Sequence, residues 1–414
     1  MMNLLRHGYA TAPILGILWT FVIATTVAIG MSFATGDAFR PSGLGSLMWG
    51  AALGLACLPG PQWKPVTAAS VVALACYLGY GPLAIAASVP VFSALLGAAT
   101  TAGFSALGLW IILDEVGPCP NNRHVFEAAV IRFCTGFGYI FFTAIVMIPF
   151  YVMVLTSLKN QSELIQNPLD FTIDMSKGLE LFRSYDELFT QFNFGTYLAN
   201  SFIISVLTVL ITLLFAVPGA YAVARLRFKG RAVFSRSILL IYMVPMIVLA
   251  LPIYIAYSMT GLRNTLGGII LIYPVTTIPV ALYMLQGYFR GLPAEIEEAG
   301  LMDGLSRLKV IWQITLPLLK VLAHHTLHLP LPEIPSVSLY VFMIAWNEFL
   351  LAFMLLDDPS KFTLTRGIAS LNSSEIPRQH LMAGSVIATV PIMVIFLGLE
   401  RFMTKGLTAG SVKG

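Results

Sequence analysis

Apolar residues in this chain gather into long runs with few interruptions, and polar residues collect in the gaps between them. Such runs lie near residues 11–31, 44–58, 66–87, 91–113, 134–156, 198–222, 234–258, 265–288, 336–356 and 381–402. Most reach the roughly 20 residues that span a hydrocarbon core as a helix. Their Gly, Pro and Ser content is that of packed transmembrane helices rather than of alternating barrel strands. The pattern predicts an all-α polytopic membrane protein with ten crossings. The second run is short and the stretch from Val66 to Leu113 admits another folding, so residues 1–115 hold three or four of them. The longest polar gap, Ser157 to Thr196, carries Lys159, Glu163, Asp170, Asp174, Lys177, Glu180, Asp186 and Glu187. That is enough for a small ordered lobe but not for a separate domain.

Charge gives these crossings a direction. Arg225, Arg227, Lys229, Arg231 and Arg236 share one short gap, in a chain with no Asp or Glu between Glu187 and Glu295. Loops rich in Lys and Arg stay cytoplasmic. Counting outward from that gap places the segment around Glu298 and the tail with Arg401, Lys405 and Lys413 inside, and residues 157–197, 259–264 and 357–380 outside. Residues 114–133 also fall inside, which together with an inside Arg6 favours four earlier crossings over three. The chain thus divides into an N-terminal transmembrane extension, 1–115, a cytoplasmic linker, 116–133, with Pro118, Pro120 and Asn121-Asn122, and a six-helix unit, 134–414.

Composition sharpens the class. Of 414 residues, 57% are hydrophobic and 11% charged, against a usual charged share of about 25%. The net charge of +4 sits mostly in short loops, so it reports orientation, and no basic, aromatic-rich soluble segment argues for nucleic acid. Cys57, Cys76, Cys119 and Cys134 show no metal-ligand or redox spacing. The run from Thr11 to Met31 is longer than the apolar part of a signal peptide and lacks a convincing cleavage site, so it reads as a retained helix.

The eighth and ninth runs are separated by a charged insert, Gly291-Leu292-Pro293-Ala294-Glu295-Ile296-Glu297-Glu298-Ala299-Gly300-Leu301-Met302-Asp303-Gly304. Pro293 suits the first position of a helix, Glu295, Glu297 and Glu298 lie where the helix dipole favours anions, and Gly304 suits a left-handed stop. A second short helix is expected from Leu305 to just before Pro317. Two short helices at an angle make a compact knob able to fill a partner's groove. The spacing Glu298-Ala299-Gly300, then Gly304, then Ile314, Leu316 and Pro317 resembles the cytoplasmic EAA loop of importer permease subunits of the ABC (ATP-binding cassette) class, apart from Gly300, where Ala is usual. The resemblance implies that Glu298, Ala299, Gly300, Asp303, Gly304, Ile314, Leu316 and Pro317, within a coupling loop at 291–317, dock on an ATPase.

Further motifs narrow the resemblance to carbohydrate-uptake permeases of the maltose type: Thr156-Ser157-Leu158-Lys159, Asn200-Ser201, Ala220-Tyr221-Ala222-Val223-Ala224-Arg225, Trp346-Asn347-Glu348 and the tail from Gly406 to Gly414. The stretch from Phe342 to His380 looks most like the α-glucoside branch. What the resemblance implies is an inner-membrane permease subunit that pairs with a second permease subunit, an ATPase dimer and a periplasmic sugar-binding protein, amid membrane lipid and without nucleic acid. No Lys follows a Gly anywhere, so the phosphate-cradling Gly-Lys is absent. The chain is then not an enzyme and carries no cofactor; ATP and Mg are used by the partner ATPase.

Glu348 is the one carboxylate well inside an expected crossing, a costly position that usually faces a polar cavity. With Asn347 and Tyr340 it either lines a sugar path or caps a structural element near the outer interface. The outer loop 357–380 either reaches into the binding protein, as the resemblance suggests, or is a solvated connector; its Asp357-Asp358 reads as a helix-end turn. His324 and His328 share a helical face, but they fall in a stretch from Val321 to Pro335 whose Pro330, Pro332 and Pro335 break a helix and which looks like an insertion. The rival reading is an ion-coupled secondary sugar transporter, which calls for repeated halves and matched intramembrane carboxylates; no repeat is evident. A polytopic sugar-transferring enzyme would need a catalytic acid or metal set.

Overall fold

The computed structural model describes residues 6–61, 63–167, 170–242, 244–291, 294–311, 333–373 and 376–409. Helices dominate, and the chain divides into two compact units, Met1–Leu181 and Phe182–Gly414.

The first unit holds α1 (Gly8–Thr35), a short strand β1 (Phe39–Pro41), α2 (Gly43–Ala56), α3 (Trp63–Tyr77), β2 (Leu83–Ile85), α4 (Val91–Ile112), α5 (Arg123–Ser157) and α6 (Gln161–Gln166). Its helices approach through small residues, the usual solution where lipid removes the hydrophobic drive between apolar helices. A Cβ on Gly54 would sit 2.1 Å from the Ala12 carbonyl oxygen, and one on Gly16 would sit 2.2 Å from that of Gly50. The α1 and α2 backbones therefore touch directly. Gly108 of α4 makes room in the same way for the buried Trp19 indole of α1. The expected crossing at 66–87 is not one helix: α3 stops at Tyr77, Gly79 takes φ 84°, and beyond Pro82 the chain pairs β2 antiparallel with β1, Phe39 opposite Ile85. A glycine free to turn left-handed and a proline without an N–H explain the stop. The linker region becomes helical at Arg123, where α5 begins with an Arg123–Glu127 pair one turn apart.

A 3₁₀ turn at Met175–Phe182 leads into α7 (Arg183–Gln191) and then α8 (Phe194–Arg225), α9 (Arg231–Tyr242), α10 (Met246–Thr260), α11 (Leu266–Gly291), α12 (Ala294–Met302), α13 (Arg307–Val310), α14 (Glu333–Asn347), α15 (Leu350–Leu355), a 3₁₀ turn at Pro359–Lys361, α16 (Leu364–Ser370) and α17 (Arg378–Ala409). The second unit is organised on α8 and α11, which pack along their length with α14 against both. The Thr212 and Thr277 hydroxyls, both fully buried, hydrogen-bond across that seam at 2.7 Å, and Gly219 lets the Leu282 side chain settle on α8. Two expected crossings are broken. The run 234–258 is α9 followed by α10, with Pro245 at the α10 N-cap, and the run 336–356 is α14 followed by α15, parted at Glu348 and Phe349.

Among the described residues six helices are long and apolar enough to cross a membrane: α1, α4, α5, α8, α11 and the Arg378–Gly398 part of α17. Gly43–Ala56, Met246–Thr260 and Ile334–Asn347 are shorter apolar helices. The polar stretch after α5 forms an ordered lobe in which Lys159 pairs with Asp170 at 3.1 Å and Lys177 pairs with Glu163.

Candidate coupling knob and translocation helices

The charged insert folds as a knob of two short helices. Helix α12 has Glu295 and Glu297 in its first turn, where unpaired N–H groups and the dipole favour carboxylates. It ends at Gly304, whose φ of 81° is the left-handed value expected of it. The Asp303 N–H donates to the Ala299 carbonyl at 3.0 Å and the Leu305 N–H to that of Gly300 at 3.2 Å, so the last carbonyls of α12 are satisfied by the turn itself. Ser306 then opens α13, its hydroxyl accepting from Lys309 N–H at 3.4 Å. Only the helix to Val310 and the buried Ile311 are described here; Ile314, Leu316, Pro317, Pro293 and the His324–His328 face lie outside the described residues.

Within the knob, burial separates two faces. Gly300 is buried and Glu297 is only 8% exposed, whereas Glu298, Ala299, Asp303 and Gly304 are exposed and Met302 is 87% exposed. Met302 at the end of α12 thus presents a large apolar side chain beside the exposed carboxylates Glu298 and Asp303, uncovered among the described residues. The inward Glu297 accepts from the Tyr221 hydroxyl at 3.2 Å and lies 3.2 Å from Arg225 Nε, both at the end of α8.

Glu348 sits in the break between α14 and α15. Its Oε1 accepts from Leu351 N–H at 2.8 Å and its Oε2 from Ala352 N–H at 3.2 Å, so the carboxylate caps α15. The Thr365 hydroxyl donates to the Glu348 carbonyl at 2.6 Å. Asn347 is exposed and returns a hydrogen bond to Met343 O at 2.9 Å; Tyr340 is exposed one to two turns earlier on α14. Trp346 is core, donating to Ala388 O at 3.1 Å and stacked on Phe342.

Residues 216–408 match the family described as "Binding-protein-dependent transport system inner membrane component". The chain is 35% identical over 285 residues to the Escherichia coli inner membrane ABC transporter permease protein YcjP, covering 67% of this chain and 95% of that protein. The chain belongs to that family. Other relatives of this permease include the trehalose/maltose transport system permease protein MalG of Thermococcus litoralis, 32% identical over 70% of this chain and 99% of that one. A third is the arabinooligosaccharides permease AraQ of Halalkalibacterium halodurans, 32% identical over 67% and 95%. The permease also superposes, with TM-score 0.56 and 22% identity over 68% of its length and 99% of the other, on a chain from the crystal structure of a bacterial ABC transporter involved in import of the acidic polysaccharide alginate; that likeness concerns the fold. It is thus a multi-pass inner-membrane ABC permease with a transporter's scaffold rather than an enzyme's.

The sequence marks Glu297 only as one of three carboxylates at a helix start, and its contact with α8 is not read from the motif, which centres on Glu298. The signal was present in Tyr221 and Arg225, which are one helical turn apart and close the second helix of the family-like unit. The loop after α15 is held by side-chain contacts: Asn264, itself at φ 56°, accepts from Asp357 N–H and Asp358 N–H at 3.1 and 3.0 Å, and Asp358 caps the following 3₁₀ turn. Asp357 pairs with Arg263. The pair therefore occupies a helix-end turn, as the sequence suggests.

Proposed function

We propose that this permease moves oligosaccharides, α-glucosides first among them, as one of two membrane subunits of an importer whose ATP and Mg are handled by a separate ATPase dimer and whose sugar is delivered by an external binding protein. The observation that carries the reading is the knob, in which Met302, Glu298 and Asp303 stand exposed around the left-handed Gly304. The names of the relatives, which handle trehalose and maltose in one case and arabinooligosaccharides in another, support a sugar cargo. In this reading Tyr340, Asn347 and Glu348 border the sugar path, Glu348 through the helix end it caps, and the outer loop at 357–380 meets the binding protein. Residues 1–115 are an added membrane unit, in keeping with relatives that are matched almost whole by about two thirds of this chain.

The test is uptake of radiolabelled maltose, trehalose and raffinose by cells expressing the assembled system. Uptake of at least one should stop on ATP depletion and persist with a protonophore. Uptake that persists without ATP and stops with the protonophore would replace this reading with the ion-coupled one, and transport of none of the three would remove the α-glucoside assignment.

A further inference from the structure

Besides its chain connection back into α11, the knob is held to the membrane unit by the buried Ile311, which shares an apolar cluster with Tyr221, Leu285 and Phe289, and by a polar attachment at Glu297, whose carboxylate faces Arg225 and Tyr221 of α8. The polar attachment is built from strong parts. Arg225 occupies the last turn of α8, where the dipole favours a cation, and Glu297 occupies the first turn of α12, where it favours an anion, so each charge also answers the helix end facing it. The side chains of Arg225 and Glu297 are 16% and 10% exposed, which removes most of the water screening that makes surface pairs weak. Tyr221 is itself fixed, buried and edge-on to the fully buried Phe289 of α11 at 5.7 Å. Arg231 closes the same end of α8 by donating to the Val223 and Ala224 carbonyls at 2.6 and 2.8 Å.

We infer that Glu297, acting through Arg225 and Tyr221, is the positioning residue that makes the knob and the paired helices α8 and α11 move as one body, so that ATPase motion received on the Glu298, Met302 and Asp303 face reaches two translocation helices rather than one. This rests on the coupling role proposed above. The docking face and the clamp are opposite sides of the same short helix, and the Thr212–Thr277 bond and the Gly219–Leu282 contact carry the displacement on between α8 and α11. Without the clamp, α12 loses its polar tie to α8, and the apolar packing of Ile311 at that end of the unit is left to pass on the displacement.

The experiment uses the complete complex in nanodiscs, with the exposed Cys119 and Cys134 replaced by Ser and spin labels on cysteines replacing Arg227 and Lys309, both exposed. In the otherwise native complex the label distance should be narrow and the same in nucleotide-free and vanadate-trapped states. In Glu297→Gln and in the milder Tyr221→Phe it should broaden and differ between the two states, while the ATPase still co-purifies. Sugar moved per ATP should fall by about fivefold or more, the lower end of typical coupling strengths. Adding Tyr221→Phe to Glu297→Gln should cost little further, since both act on one carboxylate. Glu298→Lys separates the two claims. If it removes the ATPase while both clamp variants keep the native, state-independent distance, the clamp is wrong and the docking face stands. If it leaves the ATPase bound and transport normal, the docking assignment itself fails.

Discussion

Gly304 offers a quantitative probe of the knob because its surroundings isolate one physical term. A Cβ built there meets no atom of the described residues within 4 Å, so among them a substitution neither clashes nor loses a packing contact. What remains is the backbone, held at φ 81°. An L-residue other than Gly or Asn pays about 1–2 kcal/mol to sit in that region, and a β-branched one more, toward the ~3 kcal/mol upper end for such strain. The cost falls on the turn between two short helices, α12 (Ala294–Met302) and α13 (Arg307–Val310), away from the Thr212–Thr277 contact of the α8–α11 seam. Strain then appears as a smaller fraction of molecules with the docking-competent turn, and apparent affinity falls by that fraction. Gly304→Ala should weaken ATPase binding by roughly 5- to 30-fold at about 1.4 kcal/mol per tenfold, and Gly304→Val by up to ~150-fold. Gly304→Asn, which tolerates the left-handed region, should lie close to native. Expression and melting temperature should not follow this order. The assay is titration of purified ATPase onto the permease in nanodiscs. Equal affinity for the Val and native forms would refute the argument, and an Asn variant as weak as Val would show that side-chain presence rather than φ decides.

Three further outcomes follow from other parts of the molecule. Gly54→Leu should destabilise the first unit by about 1–3 kcal/mol, because its Cβ would fall 2.1 Å from the Ala12 carbonyl; unchanged thermal stability in detergent would contradict the α1–α2 contact. In the lobe after α5, the Thr172 hydroxyl and amide donating to Asp170, with Lys159 beside it, pull that carboxyl from its ordinary 3.8 down to about 2. A depressed value stabilises the folded lobe at pH above about 3.8 and the contribution is lost as pH falls from there through about 2, so hydrogen exchange in 159–177 should quicken over that window in the native chain and not in Asp170→Asn. Single cysteines near Arg231 and Gly304 should resist an impermeant external thiol reagent and one at Asn372 should react; the reverse would overturn the orientation read from the cation-rich loop.

The features legible in the sequence were those that depend on one short stretch at a time. Apolar length marked α1, α4, α5, α8, α11 and α17, and the Glu-rich insert ending in Gly304 marked α12 and its left-handed stop. What escaped reading depends on interruptions whose meaning is set by neighbours. The run 66–87 is apolar throughout, yet Gly79 and Pro82 turn it into a helix and a strand that pairs with Phe39–Pro41 far back in the chain. The runs at 234–258 and 336–356 likewise read as single helices until Pro245 and Glu348 are seen capping the second piece of each.

Glu348 and Glu297 show why residue chemistry outruns sequence position in this family. Both are carboxylates held by two partners, Glu348 by the amides of Leu351 and Ala352, Glu297 by a hydrogen bond from Tyr221 to Oε2 and an ion pair between Oε1 and Arg225. A capped carboxylate at a helix break fixes the angle between α14 and α15, and a clamped one at a helix start fixes the knob on α8. Burying either charge is costly unless it is satisfied, and each is satisfied only while two elements keep their present geometry. A movement that parts α15 from Glu348, or α12 from Arg225, must therefore re-satisfy the carboxylate elsewhere or pay for its exposure. Transport cycles run between states of nearly equal free energy, so these two contacts are the places where a change of state is most expensive to make by bending and least expensive to make by rigid displacement. The second unit should then move as blocks, with α12 tied to α8 and α11 in one and α14 and α15, held at a fixed angle by Glu348, displaced together rather than bent apart.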